Sequence, residues 1–407
     1  MKKKIIIILL LILVLLVFFF LYKKGKNDNQ DSNITLTQNL DINLLKLVNK
    51  KEKDNFLISP YSIKMALSLL KEGASGNTLN EINKILSNGP SKINNQYIKV
   101  ANALFVKENL KQYIEKSYIT NLQTKYNSEL LVDKFTTPDI INNWVNKNTD
   151  GMIEKILDKM DNDFVLGLAN ALAIDVKWQN EFECISTKEE EFTMLNNKTK
   201  KAQMMHNSYS DKDYKYINSP NAKGIILPYS KDSNLEFIGL LPNDNLNSYI
   251  ANYLEEDLTN LPKLQKSASS DTVINLSIPR FTFSYSLDNF KDILTELGIK
   301  DVFNKQSADL SKIISKENLN KMNKQNIYVD EAIHKTYINF NETGTKAAAT
   351  TYFGIKADGL LMGDNSIDIT FNKPFIAIIR EKVTNEILFQ GVVNNPNTWN
   401  GNTCTKY

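Results

Sequence analysis

Between the strand-like stretch ending at Phe340 and the next, beginning near Ile367, about 25 residues run without an obvious fixed structure. Compact domains rarely carry a loop of that length unless it has work to do or is disordered. Its first half, Asn341-Glu342-Thr343-Gly344-Thr345-Lys346-Ala347-Ala348-Ala349-Thr350-Thr351, is a run of small side chains opened by a glycine. One reading is a flexible surface linker. The other uses the strand period: extended, Thr345, Ala347, Ala349, Thr351, Phe353 and Ile355 share one face, while Lys346, Ala348, Thr350 and Tyr352 share the other. The first face is small, then apolar, and could slide between existing strands without a clash. Lys346 would point to solvent.

The rest of the chain supplies the strands. No internal repeat and no Pro/Ser/Gly-rich linker divides residues 34–396, so one domain is expected. Ser59-Pro60 has the form of an N-cap with proline at the first helical position; Ile63, Ala66, Leu67 and Leu70 then make one face, and Gly73 can stop the helix. A second helix is predicted over 287–297, with Gly298 as its stop. Residues 273–283 alternate as a strand despite Pro279, 337–340 are short and β-rich, and Ile367, Ile369 and Phe371 face one way. Apolar runs 375–379 and 387–393 straddle a polar turn and read as a buried hairpin. Helices and antiparallel strands are both abundant, and the class is α+β.

Charge and rare residues exclude other chemistry. Lys plus Arg number 49 against 46 Asp plus Glu, with the signs mixed along the chain, so no nucleic-acid partner is implied. Two histidines, His206 and His334, and two cysteines, Cys184 and Cys404, leave little for a metal site or a His-based catalytic set. The histidines fall in separate strand-like segments, so no nucleophile–base pair is expected, and no cofactor is implied. Cys404 sits in a polar tail, which argues against a bond to Cys184. Lys198, Lys200 and Lys201 beside asparagines read as a solvated hairpin turn rather than a polyanion site.

At the N-terminus, Lys2, Lys3 and Lys4 precede an unbroken apolar run over residues 5–22, on the boundary between a signal-peptide core and a membrane span. No small-residue cleavage pattern follows, which favours an uncleaved anchor over a cleaved signal peptide in 1–22. In both cases the chain is exported, either secreted or held at the cell surface. Residues 23–33 read as a linker, 34–396 as the folded domain and 397–407 as a C-terminal tail.

The residues then carry a resemblance. Glu342-x-Gly344-Thr345-x-Ala347-Ala348-Ala349-x-Thr351 resembles the hinge of the serpin reactive-centre loop. Phe371-Asn372-Lys373-Pro374-Phe375 and Leu388-Phe389-x-Gly391-x-Val393-x-x-Pro396 resemble the family's C-terminal signature. Asn55 through Ile63 with Gly73-Ala74-x-Gly76-Asn77-Thr78 is similar to its helix B region, and Asn102 through Val106 and Asn170 through Trp178 to two strands of its central sheet. Ala173 and Ile174 stand where the family usually has aromatics, Lys346 where an acid is common and Thr350 where alanine is usual. The resemblance covers essentially residues 34–396.

It implies a single serpin domain: a large central mixed β-sheet, further sheets, about nine helices and an exposed reactive-centre loop at about 342–366. It implies a shutter, Ser59, Ser62, Asn170 and His334, a polar cluster beneath the sheet that governs its opening. His334 is then a latch rather than a base. The implied function is suicide inhibition of a serine or cysteine protease by a monomer that is not itself an enzyme. The attacked loop forms an acyl-enzyme and inserts into the sheet, dragging the protease with it. The small hinge face favours this over the alternative, a non-inhibitory serpin-fold binding or chaperone protein. Counting from the hinge places the reactive bond at Asp358-Gly359, with Leu360, Leu361 or Met362 as the alternative and Lys356 third.

Overall fold

Helix Pro60–Gly73 forms where the sequence places it. Ser59 Oγ accepts from Ser62 N at 3.1 Å, Pro60 sits in the first turn where a missing N–H is harmless, and Ile63 and Leu67 are buried. The second predicted helix is shorter, Phe290–Leu297, and stops at Gly298, whose φ of +109° lies in the left-handed region. Leu287 is drawn out of it because its N–H donates to His334 O at 2.9 Å.

The computed structural model describes residues 39–86, 89–161, 163–345 and 365–399. The chain divides into a short unit, Met1–Thr35, and a large one, Leu36–Tyr407. The short unit, with the apolar run 5–22, lies outside the described residues; among those described, no helix is long and apolar enough to cross a membrane.

In chain order the first part runs α1 (Leu40–Lys51), β1 (Phe56–Ile58), α2 (Pro60–Gly73), α3 (Gly76–Leu86), β2 (Ile98–Lys107), α4 (Lys116–Tyr126) and β3 (Glu129–Asp133). Then come α5 (Asp139–Asn148), β4 (Leu166–Ile174), β5 (Val176–Lys177), β6 (Lys188–Thr193), β7 (Thr199–Tyr209), β8 (Lys215–Asn218), β9 (Ala222–Pro228) and β10 (Leu235–Pro242). Three short helices, α6 (Leu246–Asn252), α7 (Leu254–Thr259) and α8 (Leu261–Leu264), lead to β11 (Gln265–Ser267), β12 (Thr272–Pro279) and β13 (Phe281–Ser286). The last part holds α9 (Phe290–Leu297), α10 (Lys316–Lys321), β14 (Lys335–Phe340), β15 (Gly344–Thr345), β16 (Asn365–Thr370), β17 (Phe375–Glu381) and β18 (Ile387–Val393). The described residues thus hold ten α-helices, several of only one or two turns.

The predicted hairpin is β17–β18, the interior of a seven-stranded sheet ordered β1-β18-β17-β10-β9-β8-β11. Every residue of β10 is buried, as a strand covered on both faces requires. The expected single strand over 273–283 is instead two. β12 belongs to the sheet β16-β12-β7-β6 and β13 to another, because the chain turns at Pro279-Arg280 and Arg280 N donates to Gln203 O at 2.9 Å.

The central sheet comes in two parts, β3-β2-β4 and β13-β14-β15-β5. β4 and β5 are separated by Asp175 alone, so one strand line runs through both parts. The sheet is mixed, since β2 pairs parallel with β3 and antiparallel with β4. Among the described residues no ladder joins β4 to β14; only the two residues of β15 bridge the sheet, at one end.

Candidate functional site: a slot in the central sheet and its hinge

Below β15, the space between β4 and β14 is a narrow slot. Leu172, Ala173 and Ile174 line one wall, Tyr337, Ile338 and Asn339 the other, and Thr345 its upper end. Thr149, Met152 and Ile153, from the segment after α5, also line it. That segment is held by Asn142, whose Oδ1 accepts from Ile156 N at 2.9 Å and Leu157 N at 3.0 Å. Ala173, where an aromatic was the family expectation, is buried with only a methyl group to fill its side of the wall.

The hinge enters this slot. Phe340 pairs with Thr345 across a tight turn, and Gly344 and Thr345 pair antiparallel with Lys177 and Val176. Gly344 is required by close approach: a Cβ there would lie 2.2 Å from Val176 O. Asn341 shapes the turn, its Oδ1 accepting from Thr343 N at 2.9 Å. Thr345 is 5% exposed, and its Oγ1 lies 2.5 Å from the Tyr229 hydroxyl. Burial pushes that phenol well above its usual pKa, so Tyr229 stays neutral against the hinge. Trp178 stacks on Tyr229 at 4.3 Å and 8°, and Phe340 on Phe281 at 4.4 Å and 9°. Such ring pairs add about 0.5–1.5 kcal/mol each beyond their buried area and fix the two strands that flank the hinge.

Glu342 anchors the turn. It is 4% exposed, and its Oε2 accepts from Arg280 Nε at 2.5 Å while Oε1 accepts from Thr187 Oγ1 at 2.5 Å. The backbone is clamped as well: Phe182 N donates to Glu342 O at 2.9 Å, Trp178 N to Thr343 O at 2.9 Å, and Trp178 Nε1 to Asn341 O at 2.8 Å. A buried carboxylate held by a guanidinium and a hydroxyl is a satisfied charge, and removing either partner leaves it uncompensated.

The four predicted shutter residues do converge. Ser59 N donates to His334 Nε2 at 3.0 Å, so Nε2 is the bare nitrogen of a neutral ring. Ser59 Oγ caps α2 at Ser62 N, and Ser62 Oγ bonds Asn170 Oδ1. Asn170 Nδ2 then donates to Asn102 Oδ1 at 2.9 Å, tying β4 to β2. Burial holds the His334 pKa down at about 4. Through these contacts α2, β2 and β4 are joined to the start of β14, the strand on the far wall of the slot.

Of the predicted hinge residues, Glu342, Gly344 and Thr345 lie in the site. Ala347, Ala348, Ala349 and Thr351 lie outside the described residues, as do Lys356, the reactive-bond residues Asp358, Gly359, Leu360, Leu361 and Met362, and the exposed loop expected around them. Arg280, Thr187, Tyr229 and Trp178 were not expected at the site. Trp178 carried a weak signal, standing at the end of a predicted central strand, but partners more than 60 residues from Glu342 leave no local pattern.

Two expectations are corrected. His206 does meet a hydroxyl and a carboxylate: Ser277 Oγ is 2.8 Å from its Nδ1, and Glu190 Oε1 approaches Nε2 at 2.8 Å as an ion-pair contact. Strand pairing brings Ser277 opposite His206, which sequence separation hid. Burial outweighs Glu190 and lowers the histidine's pKa. Ser277 sits in β12, a strand paired on both sides, so its neighbouring backbone amides serve the ladders rather than a substrate. The polar tail argues against a bond between Cys184 and Cys404, yet Cys184 is disulfide-bonded; Cys404 lies outside the described residues. The lysine cluster is occupied locally: Lys200 Nζ donates to Asn395 Oδ1 and Pro396 O, each at 2.6 Å, and Lys201 pairs with Glu189.

A central sheet with an open slot, a short strand of two residues, Gly344 and Thr345, at its mouth and a cluster of hydrogen-bonded polar residues, Ser59, Ser62, Asn170 and His334, define the class. The chain belongs to the serpin family: the family's sequence model, Serpin (serine protease inhibitor), matches residues 35–396. It is 29% identical over 390 residues to the Leukocyte elastase inhibitor of Equus caballus, covering 87% of this chain and 97% of that one. It is 30% identical over 377 residues to the Leukocyte elastase inhibitor of Xenopus tropicalis, covering 84% and 93%. The structure superposes on the native state of tengpin, a thermophilic serpin, with a TM-score of 0.76 and 31% identity, covering 88% of this chain and 93% of that one.

Proposed function

We propose that this serpin inhibits a serine or cysteine protease as a suicide substrate, trapping the acyl-enzyme when its cleaved loop inserts as a new strand between β4 and β14. The supporting observation is the slot with Gly344 and Thr345 already paired at its mouth. Strand edges left without a ladder gain hydrogen bonds worth roughly 0.5–1.5 kcal/mol each when a strand fills the gap. Until cleavage frees the loop, its far end is tethered at Asn365, the first residue of β16. The native state is therefore a kinetic trap, and cleavage by the target releases it. The proposed reactive bond is Asp358-Gly359, with Leu360 to Met362 as the alternative. We place the protein outside the cytoplasm, secreted or anchored through residues 5–22, and acting as a monomer.

The test is incubation of residues 34–407 with a panel of proteases, electrophoresis under denaturing conditions and sequencing of the released C-terminal peptide. An SDS-stable complex with one protease is the expected result. Cleavage in the loop by every protease tried, without a stable complex, would establish the non-inhibitory binding or chaperone reading instead.

A further inference from the structure

Beyond Pro279, β12 leaves its partner β7 to become β13 across the turn at Arg280. The edge of β7 at Lys201–Gln203 is thereby vacated, and the C-terminal tail fills it. Ala202 bridges Thr398, Gln203 N donates to Asn397 O at 3.2 Å and Trp399 N to Lys201 O at 2.9 Å. Asn397 N also donates to Arg280 O at 2.9 Å, and Asn397 Oδ1 accepts from Thr282 N at 3.0 Å. Gln203, held by the tail, in turn accepts from Arg280 Nη1 through its Oε1 at 3.1 Å. The guanidinium that grips Glu342 is thus braced from behind by residues 397–399.

The other grip on Glu342 has its own tie. Phe182 and Thr187, which hold Glu342 O and Oε1, flank the short turn Cys184–Ser186, and Cys184 is disulfide-bonded.

We propose that residues 397–399 and the Cys184 disulfide are the two outer grips of the hinge latch: the first braces Arg280, the second holds the Phe182–Thr187 segment, and together they set how firmly Glu342 and β15 are held in the sheet. The device is redox-sensitive. A dithiol reductant such as dithiothreitol supplies two electrons and two protons, converts the disulfide to two thiols and leaves as its own cyclic disulfide. Reduction then frees one of the two grips.

The proposal rests on the insertion reading only for its consequence, and its test uses no protease. Amide hydrogen exchange is followed at Trp178 and Phe182, whose N–H groups donate to Thr343 O and Glu342 O, in the full chain oxidised, the full chain reduced, Cys184→Ser, and a chain ending at Pro396. Amides of β10 serve as the control for the fold. Each of the three altered states is expected to exchange roughly fivefold to tenfold faster at the two reporters, the effect of about one lost hydrogen bond, with β10 unchanged. Unchanged exchange at Trp178 and Phe182 in either the reduced or the truncated protein overturns the proposal. Should the truncated chain fail to fold, the reduced protein and Cys184→Ser decide the matter, since both keep every residue of the tail.

Discussion

The Thr345 hydroxyl oxygen stands 2.5 Å from the Tyr229 phenol oxygen, inside the core and in register with Val176 on one side and Phe340 on the other. The side chain at this position is therefore buried before any protease arrives, and under the proposed mechanism each residue that follows it on the same face would be buried in turn.

Thr345→Arg should convert the protein from inhibitor to substrate. The position is already buried in the native sheet beside the Tyr229 hydroxyl, so a guanidinium there would first expel β15 and would have to be buried again for the loop to insert; an uncompensated buried charge costs about 3–5 kcal/mol, enough to slow insertion by a hundredfold or more. Cleavage of the loop should persist while the stable complex disappears. Thr345→Ser, which keeps the Oγ contact, should behave as wild type. A Thr345→Arg protein that forms complex as efficiently as wild type would show that this face does not have to be buried.

Gly344→Ala tests the same strand through its backbone. The added methyl would sit 2.2 Å from Val176 O and 2.8 Å from Lys177 Cα, and a main-chain neighbour cannot turn aside as a side chain can. A strain of about 1–3 kcal/mol is expected, expelling β15 from between β5 and β14. Protection of the Trp178 amide should fall about tenfold, the equivalent of ~1.4 kcal/mol. Wild-type protection in the variant would mean that β5 shifts freely to make room.

His334 gives the shutter a pH dependence of known sign. Its folded pKa is lowered to about 4 by burial, against about 6.5 when unfolded. Between those values the unfolded chain binds the extra proton, so stability rises with pH through this window and is flat above it. Lowering the pH from 7.5 to 4 should therefore remove on the order of 3 kcal/mol of native-state stability. It should also remove the acceptor at His334 Nε2 that holds Ser59 N. The onset of native-state unfolding in urea, followed from pH 7.5 to 4.5, should move to lower urea in wild type and by much less in His334→Gln. Parallel curves for the two proteins would place the acid sensitivity elsewhere.

How far the sequence reaches is visible at this site. Ser59-Pro60 predicts helix Pro60–Gly73 because caps and prolines act within a few residues, and of the strand predicted from the small-residue pattern only Gly344 and Thr345 fall among the described residues, where they do pair as β15. Arg280 was invisible as the partner of Glu342: nothing local distinguishes a guanidinium that will be buried from one on the surface. The split between β12 and β13 had a signal in Pro279, but alternation continued through it and masked the change of sheet. The pairing of His206 with Ser277 depends on strand register, which no spacing along one strand reveals.

Asp358 lies sixteen residues after Glu342, and Gly363 eleven residues before Pro374; these are the two positions that the serpin resemblance assigns to the attacked residue when counted from either end. They differ by five residues, which the resemblance accounts for only if the loop carries an insertion. The hinge-side count is the one that physics favours. The length of strand that must enter before a tethered protease is dragged is set by the sheet, whose slot begins at Thr345, whereas extra residues beyond the cut only lengthen a tether, at a closure cost that grows slowly with its length. Asp358 followed by Gly359 suits a protease with a basic pocket, because a carboxylate in an arginine-lined pocket makes charge-assisted hydrogen bonds that an apolar side chain cannot. Asp358→Ala should therefore abolish complex formation with the true target, and the peptide released from wild type should begin at Gly359. Undiminished inhibition by Asp358→Ala, with a released peptide beginning at Leu361, Met362 or Gly363, would instead assign the bond to the apolar run from Leu360 to Met362 and the target to an enzyme with an apolar pocket.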